Sequence, residues 1–150
     1  MNKEQIGRRN KMVKEIIKDE MFLTMKSIEA SKDDLYIVQD LKDTLNYHKK
    51  ICFGMAANMI GYKKRIIIVR DGNRVIPMIN PILIKKEGTP FEADEACLCY
   101  PELQTHHAIR YPVITIEYYD EKMNKKRKVC RHILAQIVQH EMDHLEGVLI

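Results

Sequence analysis

The sequence lacks any apolar segment that could cross a membrane, because its uncharged stretches fall far short of the ~18–20 residues that a spanning helix needs. It also lacks the apolar core of a secretory signal, since the N-terminal segment reads MNKEQIGRRNKMVKEIIKDE. We therefore expect a cytoplasmic protein that is not attached to a membrane.

A strong excess of one charge is absent as well. The 25 Lys and Arg residues against 21 Asp and Glu residues give a formal net charge of +4, which is not the concentrated basic surface that nucleic-acid binding requires. The one basic run, KKRK at residues 125–128, adjoins an expected turn, where positive side chains usually keep an exposed strand in solvent. We therefore expect no direct nucleic-acid partner.

Low-complexity sequence is missing too, and with 45% hydrophobic residues the 150-residue chain can bury an ordinary core. We expect one domain over residues 1–150. Such a domain needs no disulfide, and a cytoplasmic protein would not keep one, so metal binding or catalysis is the better use for a special cysteine. The four cysteines are Cys52, Cys97, Cys99 and Cys130.

Hydrophobic periodicity predicts helices at both ends of the chain. One helix is expected over residues 3–18, and a second begins near Ser31 and runs to about residue 48. A third follows the apolar stripe of residues 133–145 and ends at Gly147.

Between the helices, runs rich in β-branched residues predict antiparallel strands. Asp71-Gly72-Asn73 is typical of a hairpin turn between two of them. Strands are expected at residues 65–70, 74–78, 82–85, 113–119 and 126–130. The predicted fold is α+β, with antiparallel sheets packed around the C-terminal helix and with N-terminal helices.

The chemistry is concentrated in the last helix, where residues 140–144 fit the pattern H-E-x-x-H. At about 3.6 residues per turn, His140 and His144 lie on one face and can hold one metal ion. Glu141 adjoins that site, where a carboxylate can take a proton from water and pass it to a leaving group. The alternative is two surface histidines on an amphipathic helix. We favour the metal site, because the pattern rarely arises by chance in so short a chain.

A third ligand is expected upstream. A third histidine of the longer H-E-x-x-H motif would fall where this sequence has Ile150, and no Glu follows far enough downstream. Besides a carboxylate, the candidates are Cys52, Cys97, Cys99, Cys130, His48, His106, His107 and His132.

Three segments resemble the motifs of the peptide deformylase family, in the order found there. Residues 139–147 (QHEMDHLEG) match Q-H-E-x-D-H-L-x-G at each specified position. Residues 95–99 (EACLC) are similar to E-G-C-L-S, with Ala for Gly and Cys for Ser. Residues 52–59 (CFGMAANM) align with G-φ-G-φ-A-A-x-Q, with Cys52 for the first Gly and Met59 for the Gln. The resemblance covers about residues 33–150.

The resemblance implies a small metallohydrolase that removes the N-formyl group from the N-terminal methionine of new bacterial polypeptides. It implies that Cys97, His140 and His144 ligate one divalent ion. The family's usual cellular metal is Fe(II), and these ligand types also suit Zn(II) or Ni(II). The resemblance assigns proton transfer to Glu141 and stabilisation of the oxyanion to the Leu98 backbone N–H.

Further roles come from the same resemblance. Phe53 and Gly54 would offer backbone groups to an extended peptide. Gln139 and Asp143 would support the metal ligands, although Gln139 can equally be a packing residue. Arg110 suits the arginine that follows the family's middle motif.

The expected partners are formyl-methionyl peptides or nascent chains. Ile133 and Ile137 are candidates for an apolar methionine pocket, with plain core packing as the alternative. Transient contact with the ribosome stays open, but docking through the C-terminal helix of some family members is not expected, because the sequence stops at Ile150.

Met59 is the departure that bears most on activity. In the family the Gln at this place donates its side-chain N–H to the oxyanion, and a thioether cannot donate. Losing one such donor costs about 2.7–4 kcal/mol, or roughly 10²–10³ in kcat. Two alternatives to a working deformylase therefore stay open: a weak or inactive metal-binding paralogue that binds peptide N-termini, and a metallopeptidase of another substrate class. The intact Glu141 favours the enzyme, since a binding module needs no proton shuttle.

Overall fold

The computed structural model describes residues 12–100 and 104–150. Within these, α-helices cover Glu20–Leu23 (α1), Tyr36–Tyr47 (α2) and His132–Leu145 (α3). Short 3-10 helices cover Lys32–Asp34 and Ala57–Ile60. The strands are Gly54–Ala56 (β1), Ile66–Asp71 (β2), Arg74–Glu87 (β3), Phe91–Ala96 (β4), Thr105–Arg110 (β5), Val113–Tyr119 (β6) and Lys125–Arg131 (β7).

The strands form two antiparallel sheets. Five of the described strands make one sheet in the order β1-β2-β3-β6-β7, and β4 pairs with β5 in a separate two-stranded ribbon. β2 and β3 meet at the predicted hairpin, where Asp71 pairs with Arg74 and Gly72 has φ +61°. The α+β fold with antiparallel sheets and a C-terminal helix is confirmed.

The core lies around β2. Ile66, Ile67, Ile68 and Val69 are each 0% exposed, although successive side chains of a strand point to opposite faces. Both faces of β2 are therefore covered, and both α2 and α3 contact it. This packing places the face of α3 that carries Glu141 beside β1 at the sheet edge.

The second predicted helix is confirmed, and it consists of a short 3-10 turn followed by α2. Ser31 is the N-cap of the 3-10 turn and accepts a hydrogen bond from the Asp33 N–H, while the Asp34 carboxylate accepts one from the Ser31 N–H. α2 follows one residue after that turn and buries its apolar face.

The helix predicted over residues 3–18 is wrong where it can be checked. Residues 12–19 have no helical structure, and residues 3–11 lie outside the described part of the chain. The backbone N–H groups in this segment bond to distant groups instead of to the preceding turn: Met12 to Asp43 Oδ2, Lys14 to Thr44 Oγ1, and Ile17 to the carbonyl of Met59. Tertiary packing of the segment overrides its weak helical periodicity.

Two further differences concern the strands. The strand expected at residues 82–85 is part of β3, because the chain keeps its direction through register shifts between Ile79 and Ile82 and between Leu83 and Lys85. β4 and β5 were not expected. Their sequences show no regular alternation of buried apolar and exposed polar residues, and pairing with each other makes them strands.

Candidate metal centre and active site

The two motif histidines lie one turn apart on α3 with their ring nitrogens turned toward each other. The Nε2 atoms of His140 and His144 are 3.3 Å apart, and the side chains are buried. Two imidazole nitrogens held at about 2.0–2.1 Å by one tetrahedral ion are about 3.3 Å apart, so this spacing fits a shared metal.

Cys97 reaches the same point from the β4–β5 ribbon. It follows β4 directly, and its Sγ lies 3.3 Å from Nε2 of His144. The cysteine also hydrogen-bonds to His140. One thiol and two imidazoles thus converge from two parts of the chain, which is a donor set that suits Zn(II), Fe(II) or Ni(II).

Two overlapping groups of metal-ligating side chains occur among the described residues. One consists of His140, Glu141 and His144, and the other of Cys97, Cys99 and His144, with the ligand atoms of each group within 4.8 Å of one another. His144 belongs to both groups. The third ligand left open by the motif alone can therefore come from Cys97, whereas His48, His106, His107, His132, Cys52 and Cys130 are in neither group.

A buried ion-pair network holds the outer side of His140. Nδ1 of His140 donates to Glu95 Oε1 at 2.8 Å, which leaves the lone pair on Nε2 directed at the metal position. Arg110 clamps Glu95 through Nε and Nη2, with the Nη2 bond 2.6 Å long, and its Nη1 reaches Asp143 Oδ2 at 2.6 Å. Gln136 completes the set by donating to Glu95 Oε2 at 2.9 Å. The network fixes both the tautomer and the orientation of His140.

The charges of this network shift the pKa values of its members. Burial raises the pKa of Glu95, but hydrogen bonds from His140 and Arg110 outweigh it and lower the value to about 2. Burial likewise opposes the charged form of His140, and hydrogen bonds with Cys97 and Glu95 raise its pKa to about 10. A hydrogen bond with Cys99 and then burial raise the pKa of Cys97 to about 11. A metal ion that bound to Cys97 and His140 would therefore displace a proton from each of them.

Glu141 lies against β1 with one oxygen free. Its side chain is buried, and Oε1 has no hydrogen-bond partner. Burial raises the pKa of its carboxyl to about 7. A Cβ placed on Gly54 would lie 2.9 Å from Oε2 of Glu141 and 2.7 Å from Cγ2 of Ile137, so only glycine lets the strand approach the helix this closely.

A cavity of about 510 Å³ opens onto these groups. Ile133 and Ile137 both contribute to its wall, and Ile133 is 66% exposed, which excludes plain core packing for that residue. The lining residues are Ile51, Cys52, Phe53, Gly54, Met59, Asp94, Glu95, Ala96, Cys97, Leu98, Ile133, Gln136, Ile137, His140 and Glu141.

The free edge of β1 forms one side of the cavity. The Arg70 N–H donates to the Phe53 carbonyl at 2.8 Å, and Gly54 is directly opposite Val69. Because the bonded pairs alternate in an antiparallel ladder, the N–H and C=O of Gly54 point away from β2. The Gly54 carbonyl already accepts a hydrogen bond from Cys52 Sγ at 2.9 Å.

Met59 and Leu98 both line the cavity onto which the histidines open. Met59 lines the cavity, but its Sδ accepts a hydrogen bond from the Ala56 N–H at 3.4 Å. Leu98 is the second residue of a turn that is closed by the Tyr100 N–H and the Cys97 carbonyl. The turn leaves the Leu98 N–H unused.

Gln139 bonds to the backbone of two neighbouring segments. Its amide exchanges two hydrogen bonds with the backbone of Tyr111 and donates to the carbonyl of Ala135. It therefore joins α3 to the segment after β5. Asp143 instead joins the ligand-supporting network through Arg110.

Sequence reasoning missed two polar residues that position this site. Gln136 cannot ligate a metal, but it donates to Glu95, and its place one turn before His140 was the available signal. Asn58 is fully buried and donates to the carbonyl of His144 at 2.9 Å, which ties the Ala57–Ile60 turn to α3. In the sequence, only the position of Asn58 inside the first motif, residues 52–59, pointed to such a role.

The fold and the buried His–Glu–His group define a metal-dependent hydrolase. The family model described as polypeptide deformylase matches residues 10–150. A peptide deformylase of Clostridium beijerinckii is 48% identical over 139 residues, which span 93% of this chain and 100% of that protein. The chain belongs to the peptide deformylase family.

Solved structures agree with this assignment. The PDF from the Vibrio parahaemolyticus bacteriophage VP16T, in complex with actinonin, has a TM-score of 0.82 at 29% identity and covers 91% of this chain and 99% of its own. A Met-Ala-Ser-bound class I type b peptide deformylase from Acinetobacter baumannii has a TM-score of 0.83 and covers 93% of this chain and 97% of its own, and at 24% identity it supports the fold alone.

The chain is accordingly a metallohydrolase that removes the N-formyl group from the N-terminal methionine of nascent polypeptides. These relatives do not favour the alternative of an inactive paralogue. Within the described part of the chain, no helix has the length and apolarity to cross a membrane.

Proposed function

We propose that Cys97, His140 and His144 hold one divalent metal ion and that Glu141 moves the protons during removal of the formyl group. The proposal rests on the convergence of the three donor atoms beside a buried Glu141 carboxylate oxygen that has no hydrogen-bond partner. When bound, the ion supplies Lewis acidity toward the formyl carbonyl and the attacking water.

Glu141 takes a proton from the attacking water and later delivers one to the amine that leaves. Water and the formyl peptide thereby become formate and a free N-terminus. Oε1 of Glu141 is available for both transfers, and the close approach of Gly54 limits where the carboxylate can move.

The Leu98 N–H donates to the formyl oxygen as it gains negative charge. Its support is its place in the cavity wall directly after Cys97, in a turn that does not use this N–H. Met59 lines the cavity but offers a sulfur that already accepts from Ala56. The oxyanion thus receives one backbone donor and no side-chain donor from residue 59, which lowers the rate without removing the proton transfer.

The peptide binds as an added strand along β1. Gly54 presents its N–H and one carbonyl lone pair at the free sheet edge, so an extended backbone can pair with it. Phe53 is 55% exposed at the cavity rim and packs beside that backbone.

The methionine side chain occupies the apolar part of the cavity next to Ile133 and Ile137. The Acinetobacter baumannii structure carries Met-Ala-Ser, a peptide with a methionine at its N-terminus, as a deformylated product has. The corresponding ligand of this chain is a formyl-methionyl peptide or a nascent chain.

Asp143 and Gln139 support the proposed metal ligands without binding the metal. Asp143 stabilises Arg110, which holds Glu95 against His140. Gln139 fixes α3 against Tyr111 and does so without contact to the metal position.

Fe(II) is the proposed native ion, with Zn(II) and Ni(II) able to replace it, because one thiolate and two imidazoles suit all three. The cytoplasm is the proposed location, since nascent N-termini emerge there, and contact with the ribosome is transient. Residues 1–150 act as one domain, supported by a core that runs from Leu23 to Leu145.

Formate release tests the proposal. Protein purified without oxygen and loaded with Fe(II) is mixed with a formyl-methionyl tripeptide, with the Glu141→Ala variant as the blank. Turnover above the blank that actinonin suppresses is the expected result. Cleavage of an internal peptide bond without formate would overturn the proposal in favour of a metallopeptidase, and bound metal without turnover would leave a binding protein.

A further inference from the structure

Cys97 and Cys99 form a buried pair of thiols beside the cavity. Both cysteines are free, and they are 5% and 3% exposed. Their Sγ atoms lie within 4.8 Å of each other, and the two side chains are hydrogen-bonded. The middle family motif has a serine where this chain has Cys99, so the motif does not account for the second sulfur.

The backbone between the two cysteines lets their sulfurs meet. The Tyr100 N–H donates to the Cys97 carbonyl at 3.2 Å, so residues 97–100 form a turn. Residues two apart along a chain have Cα atoms at most about 7 Å apart, and a turn shortens that distance. A disulfide needs Cα atoms about 4.4–6.8 Å apart. A disulfide between Cys97 and Cys99 therefore needs no rearrangement of the fold.

The cavity gives a small oxidant access to one of the two sulfurs. Cys97 lines the cavity of about 510 Å³, and Cys99 is not among the described residues that line it. A peroxide molecule that enters the cavity therefore meets the Cys97 sulfur first, with the Cys99 thiol next to it. A reactive cysteine with a neighbouring thiol that resolves its oxidised form is typical of reversible cysteine oxidation.

Cys97 is reactive as a thiolate, which the proposed metal site supplies. A hydrogen bond with Cys99 and burial raise the pKa of the Cys97 thiol to about 11, so the metal-free thiol stays protonated and reacts slowly. Binding of a divalent ion at the proposed site releases that proton. The metal-loaded protein therefore carries the nucleophilic form of Cys97.

We infer that Cys97 and Cys99 are a site of reversible oxidation, at which a peroxide converts the two thiols into one disulfide. The inference builds on the proposed metal site. The Cys97 thiolate attacks one peroxide oxygen, the O–O bond breaks and hydroxide leaves. The Cys99 thiol then attacks the Cys97 sulfenic acid, the S–S bond forms and the oxygen leaves as water. In sum, two thiols and one hydrogen peroxide give one disulfide and two waters, and the peroxide gains the two electrons that the sulfurs lose.

The disulfide switches the site off and protects it. Cys97 loses its thiolate charge, so the ion keeps two imidazole donors and is released. A reductant restores both thiols, in keeping with the transient disulfides of cytoplasmic proteins. With serine at residue 99 the Cys97 sulfenic acid has no resolving thiol there, and further peroxide takes it to the sulfinic acid, which a thiol reductant does not reverse.

Mass spectrometry of the zinc-loaded wild-type chain tests the inference without relying on turnover. Zinc is used because it has no redox chemistry of its own. After a small excess of hydrogen peroxide, the chain should lose two hydrogen atoms, two of its four thiols and its zinc. The loss should map to the peptide that contains residues 97–99. Dithiothreitol followed by fresh zinc should restore the thiols and the bound ion.

Cys99→Ser separates resolution by Cys99 from oxidation of Cys97 alone. This variant should gain oxygen atoms at Cys97 in place of losing hydrogen, and dithiothreitol should not restore its zinc binding. Cys52→Ser is the matched control, because Cys52 is also buried and lines the same cavity, and its hydroxyl can keep the bond to the Gly54 carbonyl. The control should form the same disulfide as the wild type.

Two results on the wild-type chain would overturn the inference, and neither depends on a variant folding. One is the addition of oxygen to Cys97 without a link to Cys99, and the other is a disulfide between Cys97 and Cys52. A disulfide between Cys97 and Cys99 that leaves zinc bound would support the oxidation and contradict the proposed role of Cys97 as a ligand. Failure of the proposed metal site is thereby distinguished from failure of the inference.

Discussion

Gly54 of β1 and Glu141 of α3 are in such close contact that a methyl group on Gly54 would lie 2.9 Å from the Glu141 carboxylate. The same methyl group would lie 2.7 Å from Cγ2 of Ile137. The glycine therefore sets the distance between the edge of β1 and the Glu141 carboxylate, and under the proposed mechanism a change in that distance should alter catalysis more than metal binding.

Gly54→Ala should keep one metal ion per chain and lose activity. The added methyl must push Glu141 or Ile137 aside, and a displacement of about 1 Å at a catalytic group costs roughly 100-fold in kcat/KM. Formate release and metal content measure the two effects. A second change, Ile137→Ala, removes the Cγ2 atom that clashes with the new methyl group and should restore part of the rate. Ile137→Val keeps that atom and should restore nothing. Full activity in Gly54→Ala alone would contradict the close contact.

Met59→Gln should raise kcat. Sδ of Met59 accepts from the Ala56 N–H, and a Gln carbonyl oxygen can take over that bond while its NH₂ donates to the developing oxyanion. We expect a gain of about 10- to 100-fold in kcat with a small change in KM, because the new bond forms mainly in the transition state. Met59→Leu is the control, since it offers neither acceptor nor donor. Equal rates for the Gln and Leu variants would place residue 59 away from the reacting oxygen.

Mutations of the proposed metal ligands should remove the metal, whereas mutation of the proposed proton-transfer residue should remove only the turnover. Alanine at Cys97, His140 or His144 should abolish stoichiometric binding of the metal, because each removes a direct donor. Glu141→Gln should keep the metal and lose turnover, since the amide cannot accept a proton from water. Metal analysis of the dialysed proteins, paired with formate release, distinguishes the two classes.

Glu95→Gln should weaken metal binding without touching a ligand directly. Glu95 accepts from His140 Nδ1 and is clamped by Arg110, so loss of its charge loosens the imidazole and leaves a buried guanidinium with Asp143 as its remaining carboxylate. We expect about a 10- to 100-fold loss of Zn(II) affinity in chelator competition. Glu92→Gln, an exposed change on the same strand, should leave the affinity at the wild-type value.

Gly147→Ala should destabilise the fold. The residue after α3 has φ +76°, and a Cβ there would lie 2.3 Å from the carbonyl oxygen of Thr24. Left-handed backbone strain and this backbone clash together should lower the free energy of unfolding by about 3 kcal/mol. Gly72→Ala isolates the strain, because φ is +61° there and no neighbour lies within 4 Å. Urea titration of both variants gives the difference, and equal losses would argue against the clash.

Patterns that depend on neighbouring residues were predictable from the sequence. The His140–His144 pair, the Asp71–Asn73 turn and the Ser31 cap all arise from spacings of a few residues, which helix and turn geometry convert directly into position. The helix predicted over residues 3–18 failed in its described part, because its backbone N–H groups bond to α2 and to Met59 across the chain.

By itself, the sequence determined that two imidazoles and a carboxylate share one helix turn, since covalent spacing and the helical repeat require it. Only the tertiary structure decided what meets them. Cys97 reaches His144 across 47 residues, Glu95 reaches His140 across 45, and Gly54 stands against Glu141. These contacts depend on how the β4–β5 ribbon and β1 pack on α3, and packing between distant segments is set by the whole core and not by local spacing.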